Sequence, residues 1–214
     1  MAAMVEITRS EAQAEAQADS VDNGGAHHGT STEVEQSDAA GFNPGRASAV
    51  HVSDVPESDW EIWRDLRLEA LADAPYAFGE TLARAQSKTE EDWRAWWRDE
   101  DGPGPRYFGL VDGTPAGMCG ICFPEDMGRE PLIIGMWTSP RARGRGVGRA
   151  MLDACVTYCA TAGHRRLLLG VVDDNLPARR LYEAHGFVET GESEPLHWDP
   201  SKLVIVMAKE LNAV

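Results

Sequence analysis

The residues best placed to do chemistry lie in one short stretch, Ser139-Pro140-Arg141-Ala142-Arg143-Gly144-Arg145-Gly146-Val147-Gly148-Arg149. An apolar run from Pro131 to Thr138 leads into it and an amphipathic run begins at Val147, so strand, turn and helix are expected in that order. Glycines in the turn let backbone amides come close to a ligand. Amides that open a helix point outward with the positive end of its dipole behind them, an arrangement that favours anions. Arg141, Arg143, Arg145 and Arg149 add four positive charges within nine positions, in a region, residues 49–214, whose net charge is −9. Cations gathered just ahead of a helix in an acidic chain predict a phosphate-binding turn rather than a solvated loop.

Two common phosphate binders do not fit. A P-loop needs Gly-x-x-x-x-Gly-Lys-Ser/Thr, and no lysine occurs between Lys88 and Lys202. A dinucleotide fingerprint needs Gly-x-Gly-x-x-Gly after the first strand, whereas Gly144, Gly146 and Gly148 are spaced Gly-x-Gly-x-Gly and follow several strands. A nicotinamide-dependent oxidoreductase is thus a weaker alternative. The four cysteines offer a second possible chemistry. Cys119 and Cys122 form a CxxC, but they fall in a strand pattern, and Cys155 and Cys159 share a helix face. Structural zinc takes four ligands from turns. The cysteines are therefore expected to be buried small hydrophobes, and no metal site is expected.

The elements that position the turn begin near Ala49. Residues 1–48 hold eight acidic side chains against Arg9 and Arg46, a single aromatic, Phe42, and no apolar stripe, so they are expected to form a disordered acidic tail. Residues 49–214 are expected to be one folded domain. Trp60, Trp63, Leu66 and Leu71 mark a helix with Ser58 and Asp59 as caps, and Trp93, Trp96 and Trp97 mark another opened by Thr89 and Asp92. Pro75 to Glu80 reads as the loop between them. Asp112-Gly113-Thr114-Pro115 joins the strands Arg106–Val111 and Ala116–Phe123 as a hairpin. Further elements are a strand at Pro131–Thr138 and a helix at Val147–Ala162 with Val147, Met151, Ala154, Cys155 and Tyr158 on one face. A strand at Arg166–Val172, a helix at Leu176–His185 and a strand at Lys202–Ala208 complete the series. This order predicts an α/β (α+β) domain with a mixed sheet covered by helices.

The overall charge of −15 argues against nucleic acid or an anionic membrane as partner, because both bind mainly through cationic neutralisation. No apolar run reaches the ~18 residues of a membrane span. The N-terminus lacks the features of a secretion signal, and a cytoplasmic location is expected.

Arg143-Gly144-Arg145-Gly146-Val147-Gly148 resembles the Arg/Gln-x-x-Gly-x-Gly/Ala signature of the GNAT superfamily of acyl-CoA-dependent N-acetyltransferases. Asn175-Leu176-Pro177-Ala178-Arg179-Arg180-Leu181-Tyr182-Glu183-Ala184-His185-Gly186-Phe187 is similar to a second block of that family, Asn-x-x-Ala-x-x-x-Tyr-x-x-x-Gly-Phe. The resemblance covers essentially all of 49–214 and implies a twisted mixed sheet of about six to seven strands flanked by helices. It also implies acetyl-CoA as co-substrate, bound where the central strands splay. Residues Arg143, Gly144, Arg145, Gly146, Val147, Gly148 and Arg149 would hold the pyrophosphate. Main-chain groups of Trp137 and Thr138, with Asn175, would hold the pantetheine, although Asn175 reads equally as a helix cap. Arg165, Arg166, Arg179 and Arg180 would add a weaker field for the adenosine phosphates.

The implied reaction passes an acetyl group directly to a primary amine of a small molecule or protein. It requires amine deprotonation, oxyanion stabilisation and protonation of the leaving thiolate. Tyr182 matches the family's proton donor, and a backbone N–H of the Met136–Trp137 region would meet the oxyanion. Many relatives carry a glutamate on the strand before the turn, but Leu132–Trp137 has no carboxylate or histidine. The base is left open among Glu80, His197, Asp199 and a water relay, and a non-catalytic acyl-CoA-binding module is the rival reading. A covalent route through Cys119 or Cys122 is disfavoured, since nothing nearby in sequence would make a thiolate. The acceptor, the acyl preference and the choice between monomer and homodimer are left open.

Overall fold

Alternation of side chains along the strands and two runs of helix-forming sequence build one sheet with helices on both faces. A computed structural model describes residues 49–98 and 104–212; the tail assigned to 1–48 lies outside the described residues. Strands β1 (Val50–Asp54), β2 (Arg106–Val111), β3 (Thr114–Cys122) and β4 (Leu132–Thr138) form an antiparallel meander. The β2–β3 hairpin turns on Asp112 and Gly113 with φ of 51° and 81°. A two-residue turn with both φ positive suits the right-handed strand twist, and Asp-Gly is the pair that adopts it most readily. Strand β5 (Arg166–Val172) then lies parallel to β4, and β7 (Asp199–Glu210) lies antiparallel to β5 and to the outermost strand β6 (Val188–Leu196). The sheet order is β1-β2-β3-β4-β5-β7-β6.

Helices α1 (Trp60–Asp73), α2 (Leu82–Ser87) and α3 (Glu90–Ala95) cover one face. Trp63 and Trp93, 1% and 2% exposed, join Leu66, Leu71, Phe108, Met118 and Trp137 in the core on that side. Trp60, Trp63 and Trp93 are therefore core residues, each burying apolar area worth about 4–6 kcal/mol before entropy is subtracted, while Trp96 and Trp97 pack against them half-buried. Thr89 and Asp92 form a reciprocal capping box at α3. The cap expected at α1 is not made: Asp59 occupies the N-cap position without a side-chain bond to the helix, and Ser58 Oγ instead donates to Asp59 Oδ1 at 3.2 Å.

Helix α4 (Val147–Thr161) packs on the opposite face, burying Val147, Met151, Leu152, Cys155 and Cys159 against Tyr107, Val111, Cys119, Ile121, Ile133, Leu167 and Leu169. This stripe is rotated from the expected one, since Leu152 and Cys159 take the places of Ala154 and Tyr158. Helix α5 (Leu176–Ala184) contributes Tyr182 to the same core. Cys119, Cys155 and Cys159 are buried as expected, whereas Cys122, at the end of β3, is only half-buried; the sulfurs of Cys119 and Cys155 are 3.7 Å apart. Among the described residues no helix is long and apolar enough to cross a membrane.

Three features shape the centre of this frame. Gly109 and Gly117 face each other across β2 and β3, and an added Cβ at Gly117 would lie 2.9 Å from Met151 Cε and 3.0 Å from Val147 Cγ1. The pair is a floor on which the first turn of α4 sits close to the sheet. Opposite Cys119, β4 carries two residues, Gly135 and Met136, where β3 has one, and Gly135 has φ 60°. That is a β-bulge whose extra residue needs the left-handed region. Finally, β4 and β5 pair only through Leu132 with Leu168 and Ile133 with Leu169. Beyond Ile133 the two strands part.

Two strands and one helix were not anticipated. Strand β1 is short, β6 is rich in glutamate and interrupted by Gly191 and Pro195, and α2 has six residues with only Ala85 buried.

Candidate active site

The open end of the β4–β5 gap is where the arginine-glycine turn begins. Pro140–Ala142 make a 3-10 turn, and Gly144 and Gly146 then take φ of 75° and 90° to bring the chain into α4 with Gly146 as its N-cap. No side chain caps α4, so the N–H groups of Val147, Gly148 and Arg149 lie ahead of the first intrahelical bond, from Ala150 to Gly146 O at 3.0 Å. Val147 is 1% exposed and anchors the turn through its side chain, leaving only its main chain to a ligand. A Cβ on Gly144 or Gly146 would meet no atom within 4 Å, whereas one on Gly148 would lie 3.1 Å from Leu181 Cδ2 and 3.6 Å from Thr138 Oγ1. Gly148 therefore lets Leu181 of α5 and Thr138 at the end of β4 approach the first turn of α4 closely.

The four arginines behave differently from one another. Arg149 is exposed beside the first turn of α4, and Arg145 Nη2 reaches Asp112 at 3.4 Å. Arg141 donates to Pro115 O at 3.4 Å. Arg143 is the most constrained. Its Nε donates to Thr138 O at 3.1 Å and its Nη2 pairs with Asp73 Oδ2, the oxygen that also accepts from Trp137 Nε1 at 2.8 Å. One turn earlier on α1, Glu69 accepts from the buried Ser139 Oγ at 2.9 Å. Helix α1 thus fixes the end of β4 and the start of the turn through two carboxylates. Sequence reasoning missed both, because Glu69 and Asp73 are ordinary polar positions on a helix and their partners lie 64 to 70 residues away.

Trp137 and Thr138 lie in the part of β4 that pairs with β3, through Met118 and Gly117, but not with β5. Past Ile133 no ladder to β5 engages β4; of these two residues, Thr138 O accepts from Arg143 Nε, and Trp137 O lies toward Gly117 of β3. Asn175 is the N-cap of α5, accepting from Ala178 N at 3.3 Å, so its capping role is present. The auxiliary arginines divide between the two ends of β5, with Arg179 Nη1 donating to Asp173 O, just past the splayed end, at 3.1 Å. Arg166 begins β5, ~20 Å of strand from its splayed end, and pairs with Glu130, while Arg179 pairs with Glu189. Arg165 adjoins Arg166, and Arg180 is exposed on α5.

Tyr182 is 7% exposed, edge-on to Phe187 with ring centroids 6.2 Å apart. Burial pushes its phenol well above the ordinary range, and the nearby Cys119 and Cys155 thiols act in the same direction. Tyr182 therefore keeps its proton throughout the neutral range. Because Cys119 also lies opposite the Gly135–Met136 bulge, the phenol and the bulge share a neighbour. Contact with Cys119 and desolvation drive the Cys155 thiol up, and burial drives Cys159 to about 12, which makes these two groups poor nucleophiles at neutral pH.

Of the candidate bases, Glu80 is buried and engaged by Arg67 Nη2 at 3.4 Å and Lys88 Nζ at 2.5 Å. Taking a proton would first disrupt those ion pairs. Asp199 accepts from Ser201 N and Oγ at 3.2 and 2.6 Å, and His197 is exposed on the same β6–β7 turn. That turn meets the Pro75–Glu80 loop. Tyr76 stacks on Trp198 at 5.1 Å, and Trp198 Nε1 donates to Phe78 O at 2.9 Å. Arg67 lies behind the bulge, its Nη1 3.5 Å from the Cβ that Gly135 lacks.

The uncapped amides, three glycines and neighbouring cations suit a diphosphate, and the unpaired edge of β4 suits a chain of amides running beside it. Residues 60–187 match the family described as Acetyltransferase (GNAT) family. Over 145 residues the chain is 31% identical to the mycothiol acetyltransferase of Acidothermus cellulolyticus, an alignment covering 64% of this chain and 43% of that protein. The chain thus spans less than half of that relative's length. An acetyltransferase of the GNAT family from Streptococcus pneumoniae has a TM-score of 0.63 at 18% identity, covering 77% of this chain and 100% of that one. The yncA protein of Salmonella typhimurium, solved with acetyl-CoA, has a TM-score of 0.60 at 15% identity over 77% and 95% of the two chains. These two structures share the fold.

Proposed function

The chain belongs to the GNAT acetyltransferase family, and from that premise we propose that it transfers an acetyl group from acetyl-CoA to a primary amine of a small molecule or protein. The observation that carries the reading is the uncapped, glycine-lined start of α4 at the open end of the β4–β5 gap. When bound there, acetyl-CoA supplies the thioester whose carbonyl the amine attacks.

The protein's own groups then have separable tasks. The amides of Val147, Gly148 and Arg149 hold the diphosphate, helped by the dipole of α4 and the charge of Arg149. The open edge of β4 orients the pantetheine amides, and the bulge at Gly135 re-aims the main chain at Met136 toward the acyl oxygen, where negative charge develops. Tyr182 holds a proton on its Oη for the departing sulfur. With no carboxylate on β4 and Glu80 engaged in ion pairs, the amine's proton passes to solvent. The rate then rises with pH as more of the free amine forms.

The region from 49 to 214 is acidic away from the turn, which attracts cationic acceptors at long range. The test is thiol release from acetyl-CoA with polyamines, aminoglycosides and peptides with free N-termini. Amine-dependent release supports the assignment. Tight CoA binding without release for any amine would refute it.

A further inference from the structure

Asp73 sits where a carboxylate is electrostatically unwelcome. It is the last residue of α1, at the negative end of the helix dipole, a position that favours cations. What offsets this placement is a pair of donors converging on one oxygen, the Trp137 indole and the Arg143 guanidinium. The side chain of Asp73 is 22% exposed and that of Arg143 is 52% exposed, so this is a solvent-facing pair within reach of a ligand. Arg143 is also the first residue of the phosphate-binding turn, one position ahead of Gly144. Its fork is held on both sides, by Thr138 O at Nε and by Asp73 at Nη2.

We propose that Asp73 is an internal anion that competes with the diphosphate of CoA for Arg143, and so weakens cofactor and product binding. The proposal rests on the reading of the turn as the CoA site. A diphosphate held by the amides of α4 carries more charge than one carboxylate and has oxygens for a guanidinium fork, so Arg143 exchanges partners as the cofactor binds. The lost ion pair is subtracted from the affinity. The same subtraction speeds release of CoA after transfer, a step that often limits turnover.

The test is a double-substitution cycle on the full chain, with the Kd for CoA read by calorimetry in the native protein, Asp73→Asn, Arg143→Gln and the combined variant. Asparagine keeps an oxygen for the Trp137 indole, so the change isolates the charge. Asp73→Asn is expected to tighten CoA about two- to fivefold, the range set by an exposed ion pair, and to leave affinity unchanged in the Arg143→Gln background. Weaker or equal binding in Asp73→Asn would overturn the proposal, as would equal tightening in both backgrounds, which would report only the removed field. Asp73→Ser, which also retains an oxygen, gives the same readout should the asparagine variant fold poorly. Failure of the native protein to bind CoA would instead refute the site assignment itself.

Discussion

Replacing Gly117 by alanine probes how the sheet holds the cofactor site in place. The new Cβ would lie 2.9 Å from Met151 Cε, 3.0 Å from Val147 Cγ1 and 3.0 Å from Trp137 O. Carbon atoms in ordinary contact sit about 3.5–4.0 Å apart, so the first turn of α4 must lift by roughly half to one ångström. Overpacking of this kind costs about 1–3 kcal/mol, which for a domain of this size is a fall in Tm of about 2–12 °C. The lift also moves the amides of Val147 and Gly148. Breaking one hydrogen bond to a charged phosphate costs about 1.5–3 kcal/mol, so the Kd for CoA should rise about tenfold to a hundredfold. Thermal melts followed by circular dichroism and calorimetric CoA titrations measure the two effects. Gly113→Ala is the control: φ there is 81° and no atom lies within 4 Å, so it costs about 1–2 kcal/mol of backbone strain without touching α4. A Gly117→Ala protein with unchanged melting and unchanged CoA affinity would show that the glycine floor does not seat the helix.

Three further substitutions divide the site by function. Tyr182→Phe should lower turnover while CoA affinity stays near that of the native protein, and steady-state kinetics beside CoA titration would expose an unaltered rate. Because burial raises the phenol's pKa, the native rate should show no alkaline fall from Tyr182 below pH ~10. For stability the sign is the same: the folded state resists ionisation, so the contribution is complete below pH ~10 and is lost as pH rises above it. Gly146→Asp puts a side chain at φ 90° and a negative charge before the amides, and should abolish CoA binding in a protein that still folds. Asn175→Ala removes the bond from Ala178 N and should cost about 1 kcal/mol in urea denaturation; weakened CoA binding as well would show that the cap also serves the pantetheine.

The glycine-arginine turn and the elements around it were legible because local constraints dominate there. Gly144, Gly146 and Gly148 are required by backbone geometry or close approach, Val147 and Met151 repeat at helical spacing, and β5 is buried enough to read as an apolar run. Strand β6 was not legible, because its fold comes from pairing with β7 rather than from burial. Val188 is 65% exposed, and three of the nine residues are glutamates. The bulge had a signal that was not used, since an isolated glycine such as Gly135 inside an apolar strand often marks one. No local pattern foreshadows Glu69 and Asp73 reaching the turn or Trp198 stacking on Tyr76, because those contacts exist only once distant elements have packed.

The two register pairs that join β4 to β5 bear on how the domain comes apart. On one side of this seam lie β1 to β4, and on the other β5, β7 and β6, each set laced internally by longer ladders. Besides those two pairs, α4 spans the seam, and Trp198 crosses it through Tyr76 and Phe78. A ligand lodged along the unpaired edges works as mortar between two half-sheets, so unfolding and dissociation become linked. At a hundredfold excess over its Kd, CoA would add about 2.7 kcal/mol to stability. The fold is least self-sufficient at this seam, where a bound cofactor would complete it.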